Sequence, residues 1–292
     1  MSNIILCTNA RNESNILEWV IHHLNLGFNH IYIVDHKSDI PIKYVLRNVS
    51  SKFVTIDRLD YDIIKTTLIK NAVIKSLKLK FKWMLYLDCD EFLILNDDIS
   101  IHAFIDKYKQ YDQICINWLM FGSNNLNIAP INNTILETYT KCNTKLDKHV
   151  KTILNLSQKV FTIPNPHIYI LPNMNNSVHT DYTKLNSINP FFYDNPSHYS
   201  QVSAYIAHYV DQAYDIYYKR KILLPRDDIL NAYRTLNSKK ELHRNNNNDI
   251  NMTPVNKYNF LNKKQILKIL ELQKNPELQK IEKTEQLNTY IN

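Results

Sequence analysis

Three acidic residues, Asp88, Asp90 and Glu91, stand together directly after a short apolar run, residues 83–87. An apolar run of this length is typical of a strand that is buried on both faces of a sheet. Carboxylates at the end of such a strand require a cation or hydrogen-bond donors to compensate their charge. Asp88 and Asp90 point to the same side of an extended chain, and their hard oxygen atoms suit Mg²⁺ or Mn²⁺. The pattern predicts a metal-bridged diphosphate site.

The structural alternative for this acidic triplet is a solvated turn or a helix cap. A surface turn rarely follows so apolar a run, which favours a functional site at a strand end. A calcium loop of the EF-hand type does not fit, because the spaced oxygen ligands and the glycine of that loop are missing.

The composition limits the classes of site that the chain can carry. Its 292 residues suffice for one large α/β domain or for a domain with an appendage. Gly27 and Gly122 are the two glycines of the sequence, which excludes glycine-rich phosphate loops of the P-loop or Rossmann type. The four cysteines form no CxxC pair, so neither a zinc site nor a disulfide framework is expected.

The net charge of +7 suits an enzyme whose substrate is a nucleoside diphosphate. Nucleic-acid binding is not expected, because the basic residues are scattered and the densest cluster, residues 219–221, comes with no nucleic-acid motif. The sequence begins without a signal-peptide pattern, and no apolar stretch is long enough for a transmembrane helix. We therefore expect a soluble, cytoplasmic protein without a transmembrane segment.

The first hundred residues alternate strands and helices. A helix is expected from an N-cap at Asn12 to about residue 26, and a second over residues 63–79. Strands are predicted over residues 4–7, 31–34, 53–56 and 83–87. Three β–α units in this order imply a mostly parallel sheet with right-handed crossovers. The polar segments 7–13, 35–39 and 88–91 should therefore meet at one cleft on the carboxyl edge.

The rest of the chain is predicted to be less regular. Residues 130–200 are interpreted as irregular strands and loops that cover one side of the cleft, the side called the acceptor side below. Short apolar pieces lie at 134–139, 150–154 and 168–171. A polar, frayed end is expected from residue 275. Further elements are a helix over 101–108, a strand over 113–118, a strand over 205–210, and helices over 212–221 and 263–272.

Several motifs follow one another in a fixed order along residues 1–221. They are Arg11-Asn12-Glu13, the stretches LEWVIHHLNLG (17–27) and HIYIVD (30–35), the acidic triplet with Phe92-Leu93, Trp118-x-x-Phe121-Gly122-Ser123, and weaker matches at 151–153, His167 and His208-Tyr209. This ordered set resembles the GT-A glycosyltransferases of family 92 and their family 2 relatives. The sequence departs from that pattern at Arg220-Lys221, where the family has Arg-Gly.

The resemblance implies a GT-A-type open, mostly parallel sheet flanked by helices, with an irregular acceptor-side region and C-terminal helices. Residues 1–221 would form the glycosyltransferase domain, and residues 222–292 a helical extension, packed on the same domain or separate from it. The implied activity is the transfer of a sugar from a nucleoside-diphosphate sugar to a hydroxyl of a glycan or glycoprotein. The transfer would depend on Mn²⁺ or Mg²⁺ and would invert the anomeric configuration.

The resemblance also assigns roles to individual side chains. Asp88, Asp90 and His208 are the candidate metal ligands, with a ribose contact as the alternative for Asp88. His208 stands at a predicted strand end, and a hydrogen-bonded core histidine is its alternative. Candidate contacts to the donor are Arg11, Asn12, Asp35 and Lys65. An inverting reaction needs a general base, for which Glu137 is the candidate among the carboxylates of the 120–200 region.

Two other interpretations stay open from the sequence. The first is a sugar nucleotidyltransferase, which makes the activated sugar. Such an enzyme usually has a glycine-rich loop after its first strand, and the absence of glycine from residues 8–13 argues against it. The second interpretation is a catalytically silent GT-A domain that binds a glycan or a partner enzyme. The intact Asp88 and Asp90 argue against this second interpretation. The histidines in polar stretches, His149, His167, His179 and His198, are interpreted as surface or hydrogen-bonded residues.

Overall fold

The computed structural model describes residues 3–160, 162–185, 197–226, 229, 232–233 and 246–274. The strands of its main sheet are β1 (Ile4–Ala10), β2 (His30–His36), β3 (Val54–Leu59), β4 (Trp83–Tyr86), β5 (Glu91–Leu95), β6 (Gln113–Met120), β8 (Val150–Asn155), β9 (Ser177–His179) and β10 (Ala204–His208). Two short strands, β7 (Lys141–Cys142) and β11 (Asp249–Ile250), pair as a separate antiparallel ribbon. The order in the main sheet is β3-β2-β1-β4-β8-β6-β10-β5, with β9 beside β6.

The direction of the strands brings several carboxyl ends to one edge. β1 to β4 are parallel, and β8 is antiparallel to both β4 and β6, so β6 and its parallel neighbour β10 run with the first four strands. Cys7 pairs with Tyr86, and the N–H of Leu87 donates to the Cys7 carbonyl at 3.1 Å. On the other side of β1, Val34 pairs with Asn9. The prediction that the strands around Cys7, Val34 and Leu87 end at one edge is confirmed.

Helices cover both faces of this sheet. Leu6 and Ile5 point to opposite faces of β1, so each face has its own core. Leu6 packs in one core with Trp19 of the first helix, and Ile5 packs in the other with Leu68 of the third. The predicted fold class, an open, mostly parallel α/β sheet flanked by helices, is confirmed. The helices are α1 (Ile16–Asn25), α2 (Ile42–Val45), α3 (Lys65–Lys78), α4 (Ile101–Tyr108), α5 (Ile135–Thr138), α6 (Tyr214–Tyr217), which continues as a π-helical turn (Tyr218–Ile222), and α7 (Phe260–Lys274).

Three local predictions are wrong. Asn12 does not cap α1, because its φ of 53° and its bonds to Ser38 and Asp39 fix it in the loop before the helix. Residues 135–138, within the predicted irregular strand 134–139, form the short helix α5, since Thr134 and Glu137 make a capping box. Residues 150–154 are not irregular, because they belong to the regular, buried strand β8 in the middle of the sheet.

The described part of the C-terminal region, residues 246–274, packs on the same sheet and helices. Asn262 of α7 donates to the buried ring of His22 at 3.2 Å and accepts from Asn25 at 2.9 Å. Asn251 donates to the hydroxyl of Tyr205 at 2.8 Å. The division at residue 221 stays a prediction, and the predicted polar end from residue 275 lies outside the described residues. None of the helices described is both long and apolar enough to cross a bilayer.

Gly122 leaves room for the segment that directly precedes β11. A Cβ at this position would lie 2.8 Å from the backbone carbonyl of Asn246 and would also meet the amide oxygen of Asn247. That oxygen accepts the N–H of Asn124 at 3.0 Å. We expect Gly122→Ala to lower the free energy of unfolding by about 1–3 kcal/mol, because the overpacked backbone must shift. Thermal and urea unfolding measure this loss, and an unchanged stability would contradict the close approach.

The buried histidine His22 predicts a loss of stability in mild acid. Burial lowers the pKa of His22 from 6.5 to about 4, and its ring donates to the Leu93 carbonyl at 2.9 Å. Because the folded-state pKa is depressed, the unfolded chain takes up the proton first, so this stability is present above pH 6.5 and is lost as the pH falls toward 4. The loss from this one group should reach roughly 2 kcal/mol at pH 5. The measurement is urea unfolding at pH 7.5 and pH 5 for the wild type and His22→Gln, and equal pH dependence in the two would contradict it.

Candidate active site

A cleft of about 280 Å³ opens at the carboxyl edge of the sheet. Its walls come from the loop after β1, the start of α3, the acidic triplet after β4 and the segment after α6. Basic side chains outnumber acidic ones along these walls, which favours an anionic ligand. The basic residues are Arg11, Lys37, Lys65, Arg220, Lys221 and Arg226, and the acidic residues are Glu13, Asp62, Asp88 and Asp90.

Asp88 lies between two lysines that come from different parts of the chain. Lys65, at the first position of α3, forms an ion pair with Oδ1, and Lys151 of β8 lies 3.2 Å from Oδ2. Burial alone would raise the pKa of Asp88, but Lys151 and Lys65 outweigh it and hold the pKa well below its ordinary value. The carboxylate is therefore ionised and compensated, as the position at a buried strand end requires.

Asp90 is buried and meets a second group of cations. Its Oδ2 lies 3.2 Å from both Arg220 and Lys221, on the π-helical turn after α6. Burial would raise the pKa of Asp90, yet Lys221, Arg220 and His208 together lower it. Arg220 also reaches Glu13 in the loop after β1, with Nε 2.9 Å from Oε2. Arg220 thus joins the first loop, the acidic triplet and the C-terminal turn.

Glu91 and Lys151 form a buried pair beneath the cleft. Both side chains are fully buried, with 3.1 Å between the Lys151 Nζ and the Glu91 Oε2. The same carboxylate accepts the backbone N–H of Asp88 at 2.8 Å, which fixes the turn that carries the acidic residues. Burial raises the pKa of Glu91, against the opposing effect of Lys151. This pair supports the site from inside the protein.

His208 reaches the site from the carboxyl end of β10. Its Nε2 lies 3.8 Å from Asp90 Oδ1, and its ring packs against Trp118 with 4.3 Å between centroids. Burial lowers its pKa to about 4, although Asp90 acts in the opposite direction. The imidazole is therefore neutral near pH 7, the state in which histidine binds a metal.

The donor atoms at this edge are of the kind that a divalent metal ion takes. Asp90 Oδ2 is held by its ion pairs with Arg220 and Lys221. The buried His208 Nδ1 has no hydrogen-bond partner. Asp88 turns its carboxylate to Lys65 and Lys151. In the part of the chain that the structure describes, no three His, Cys, Asp or Glu side chains are grouped to hold a metal ion. His208 and the two aspartates have the donor chemistry for a divalent cation. Such an ion could bind there only if both carboxylates left the lysine and arginine side chains that now hold them.

The structure brings some of the residues predicted for the site together and leaves others outside the lining. Arg11 and Lys65 line the cleft with Asp88 and Asp90. Asn12, Asp35, Glu137 and His208 are not among the residues that line it.

Asp35 and Glu137 have partners within the fold. The Asp35 carboxylate accepts the N–H groups of Ser38 and Ile42 and lies 3.1 Å from Arg58 NH1. Glu137 caps its own helix α5 and lies 2.9 Å from the Nζ of Lys263. The donor contact of Asp35 and the catalytic role of Glu137 remain predictions that this arrangement does not favour.

The sequence predicted Arg11 and Lys65 at this site but not Lys151, Arg220 and Lys221. In the sequence, residues 219–221 stand out as a basic cluster and as the departure from the family pattern. The signal for a role in the site is their position one helical segment beyond β10, which ends at the edge of the cleft. Lys151 entered only as a weak motif match. Lys151 stands inside an apolar strand, and a buried cation requires an acidic partner. That position was the signal that Lys151 pairs with an acidic residue of the site.

The comparisons with known proteins bear on this site. The sequence matches the model of glycosyltransferase family 92 over residues 5–280. No curated protein matched significantly. Among similar solved structures, S. aureus TarS 1–349 is 13% identical, with 53% of this chain and 47% of that chain covered and a TM-score of 0.36. HddC from Yersinia pseudotuberculosis, complexed with GMP-PN, is 12% identical, with 71% of this chain and 93% of that chain covered and a TM-score of 0.36.

The match spans less than half of the TarS chain. The family assignment rests on the family model, which covers residues 5–280 of the 292. The cleft described above, with its two compensated aspartates, lies within the matched residues. The chain therefore belongs to glycosyltransferase family 92.

Proposed function

We propose that the protein transfers a sugar from a nucleoside-diphosphate sugar to a hydroxyl group of a glycan or glycoprotein, with inversion and with Mn²⁺ or Mg²⁺. The observation that carries the proposal is the convergence of Asp88 and Asp90 with four cations at the carboxyl edge of the sheet, where open α/β folds bind ligands. Membership in the family supports the reaction class.

The side chains of the cleft have distinct tasks in this reaction. The donor splits into the sugar and a nucleoside diphosphate, and negative charge develops on the departing phosphate oxygen. Lys65, Arg220 and Lys221, which line the cleft, bind and neutralise that diphosphate. A bound Mn²⁺ or Mg²⁺, held by Asp88, Asp90 and His208, would add Lewis-acid stabilisation of the leaving group. The buried Glu91–Lys151 pair keeps the acidic turn in position.

A ligand screen tests the proposal. The protein is heated with UDP-, GDP- and dTDP-sugars, each with and without Mn²⁺, and specific binding should raise the melting temperature by mass action. The same mixtures are assayed for free nucleoside diphosphate, with methyl glycosides as acceptors. We expect one donor to stabilise the protein and to release nucleoside diphosphate. A nucleotidyltransferase would instead consume sugar phosphate and release pyrophosphate, and a silent domain would bind without turnover. Either result would contradict the proposal.

A further inference from the structure

An aspartate–histidine pair lies at the same edge of the sheet, beside Trp118 near the end of β6. The His149 Nδ1 is 2.6 Å from Asp147 Oδ1, which also accepts the backbone N–H of His149 at 2.9 Å. Both side chains are partly open to solvent, with 31% of His149 and 26% of Asp147 exposed. A carboxylate on Nδ1 fixes the imidazole as the tautomer whose Nε2 carries the lone pair.

Trp118 attaches this pair to the site. Its carbonyl accepts the N–H of Asp147 at 2.7 Å, and its N–H donates to the carbonyl of His149 at 2.9 Å. The indole ring stacks on the His149 ring with 4.9 Å between centroids and 19° between planes. The same indole contacts His208 at 4.3 Å, and Lys151 lies 5.8 Å from its centre. The pair is thus held on β6, one aromatic ring away from the side chain that meets Asp90.

We propose that His149 is the general base that takes the proton of the acceptor hydroxyl, with Asp147 as the residue that positions it. The proposal rests on the function proposed above and names the group that an inverting transfer requires. Glu137, the base expected from the sequence, is held by Thr134, Asn259 and Lys263 within the fold. Neither Glu137 nor His149 is among the residues that line the cleft, but His149 is linked to its acidic residues through Trp118 and His208.

The neighbouring His167 is less suited to this role. Its ring lies 5.3 Å from that of His149, but its Nδ1 is 3.0 Å from the carbonyl of Val150 rather than from a carboxylate. An imidazole that gains a proton is stabilised by a carboxylate on its other nitrogen, as in an Asp–His dyad. Asp147 provides that carboxylate to His149.

The proposed step is balanced in atoms and electrons. The acceptor oxygen forms a bond to the anomeric carbon of the donor sugar, and its proton passes to the Nε2 of His149. The bond between that carbon and the phosphate oxygen breaks, and its electron pair leaves with the nucleoside diphosphate. His149 later returns the proton to solvent. Nothing is oxidised or reduced, and no further reactant is needed.

His149→Ala and Asp147→Asn test the proposal, with His198→Ala as the matched control. His198 is a solvent-exposed histidine that also lies near an aspartate, with 3.5 Å to Asp249. The donor that the wild type turns over fastest is assayed with water and with methyl glycosides as acceptors. We expect His149→Ala to lower kcat by about 10²–10³-fold, with the KM for the donor nearly unchanged. Added imidazole should restore part of that rate, and Asp147→Asn should lower kcat less.

Each outcome decides the matter. Rescue by imidazole is specific to a missing base, because a purely structural histidine would not be replaced by a small molecule in solution. Turnover of His149→Ala close to that of wild type and His198→Ala would overturn the role of His149 and leave the proposed function intact. A loss that imidazole does not restore would likewise overturn it. A wild type that releases nucleoside diphosphate from no donor would overturn the proposed function itself.

Discussion

Replacing Asp90 with asparagine should lower the release of nucleoside diphosphate by about 10³-fold, while the protein stays folded. The substitution keeps the shape of the side chain and removes the charge that faces His208, Arg220 and Lys221. Arg220 keeps its second partner, Glu13, so the turn after α6 retains an anchor. Turnover is measured with the donor that stabilises the wild type, and the fold is checked by circular dichroism.

Asp97→Asn is the matched control for this prediction. Asp97 is an exposed acid in the segment after β5, seven positions further along the chain. The Asp97→Asn variant should keep wild-type turnover and donor binding. If Asp90→Asn also keeps them, the acidic residues do not form the reaction centre, whatever the chain binds.

Replacing Lys151 with methionine should lower the free energy of unfolding by about 3–5 kcal/mol. Methionine fills a similar volume, but the fully buried Glu91 then loses its cation, and Asp88 keeps Lys65 alone. An isolated buried carboxylate either pays a large desolvation cost or takes up a proton. Urea unfolding at pH 7.5 measures the loss.

The double variant Lys151→Met/Glu91→Gln separates the buried charge from the packing. It removes the uncompensated carboxylate, so its stability should lie between those of the wild type and Lys151→Met. Glu91→Gln alone should also destabilise the protein, because it leaves Lys151 with Asp88 as its acidic partner. Additive effects of the two single changes would show that the residues do not interact, against the geometry.

The parallel half of the sheet was predictable, because each of its β–α units is a local pattern in the sequence. The position of β8 was not. Its apolar residues predicted a strand, but nothing in residues 150–154 indicates that they pair antiparallel with both β4 and β6. Pairing partners that lie dozens of residues apart are set by the packing of the whole sheet rather than by local propensity.

The acidic residues of the site were predictable for a similar reason, whereas the basic residues Lys151, Arg220 and Lys221 were not. Asp88 and Asp90 follow a buried strand directly, so their position at the edge follows from the strand itself. Arg220 meets Asp90 across 130 positions of sequence, and no periodic pattern predicts such a contact. His208 was found because it ends a strand, as the acids do. The capping-box spacing from Thr134 to Glu137 is visible in the sequence and indicates a structural role for that carboxylate, so its catalytic role stays a prediction that the structure does not favour.

A crystal structure of the protein with Mn²⁺ and the nucleoside diphosphate of the stabilising donor tests the central claim most directly. The account predicts the diphosphate in the cleft between Lys65 and Arg220, with the metal ion on Asp90 and the nucleoside toward the loop of Arg11. His208 should lie within coordination distance of that ion, and His149 should face the open side from which an acceptor approaches. A diphosphate bound elsewhere, or a cleft in which Asp90 keeps Arg220 and Lys221 while the ligand binds another surface, would contradict the account.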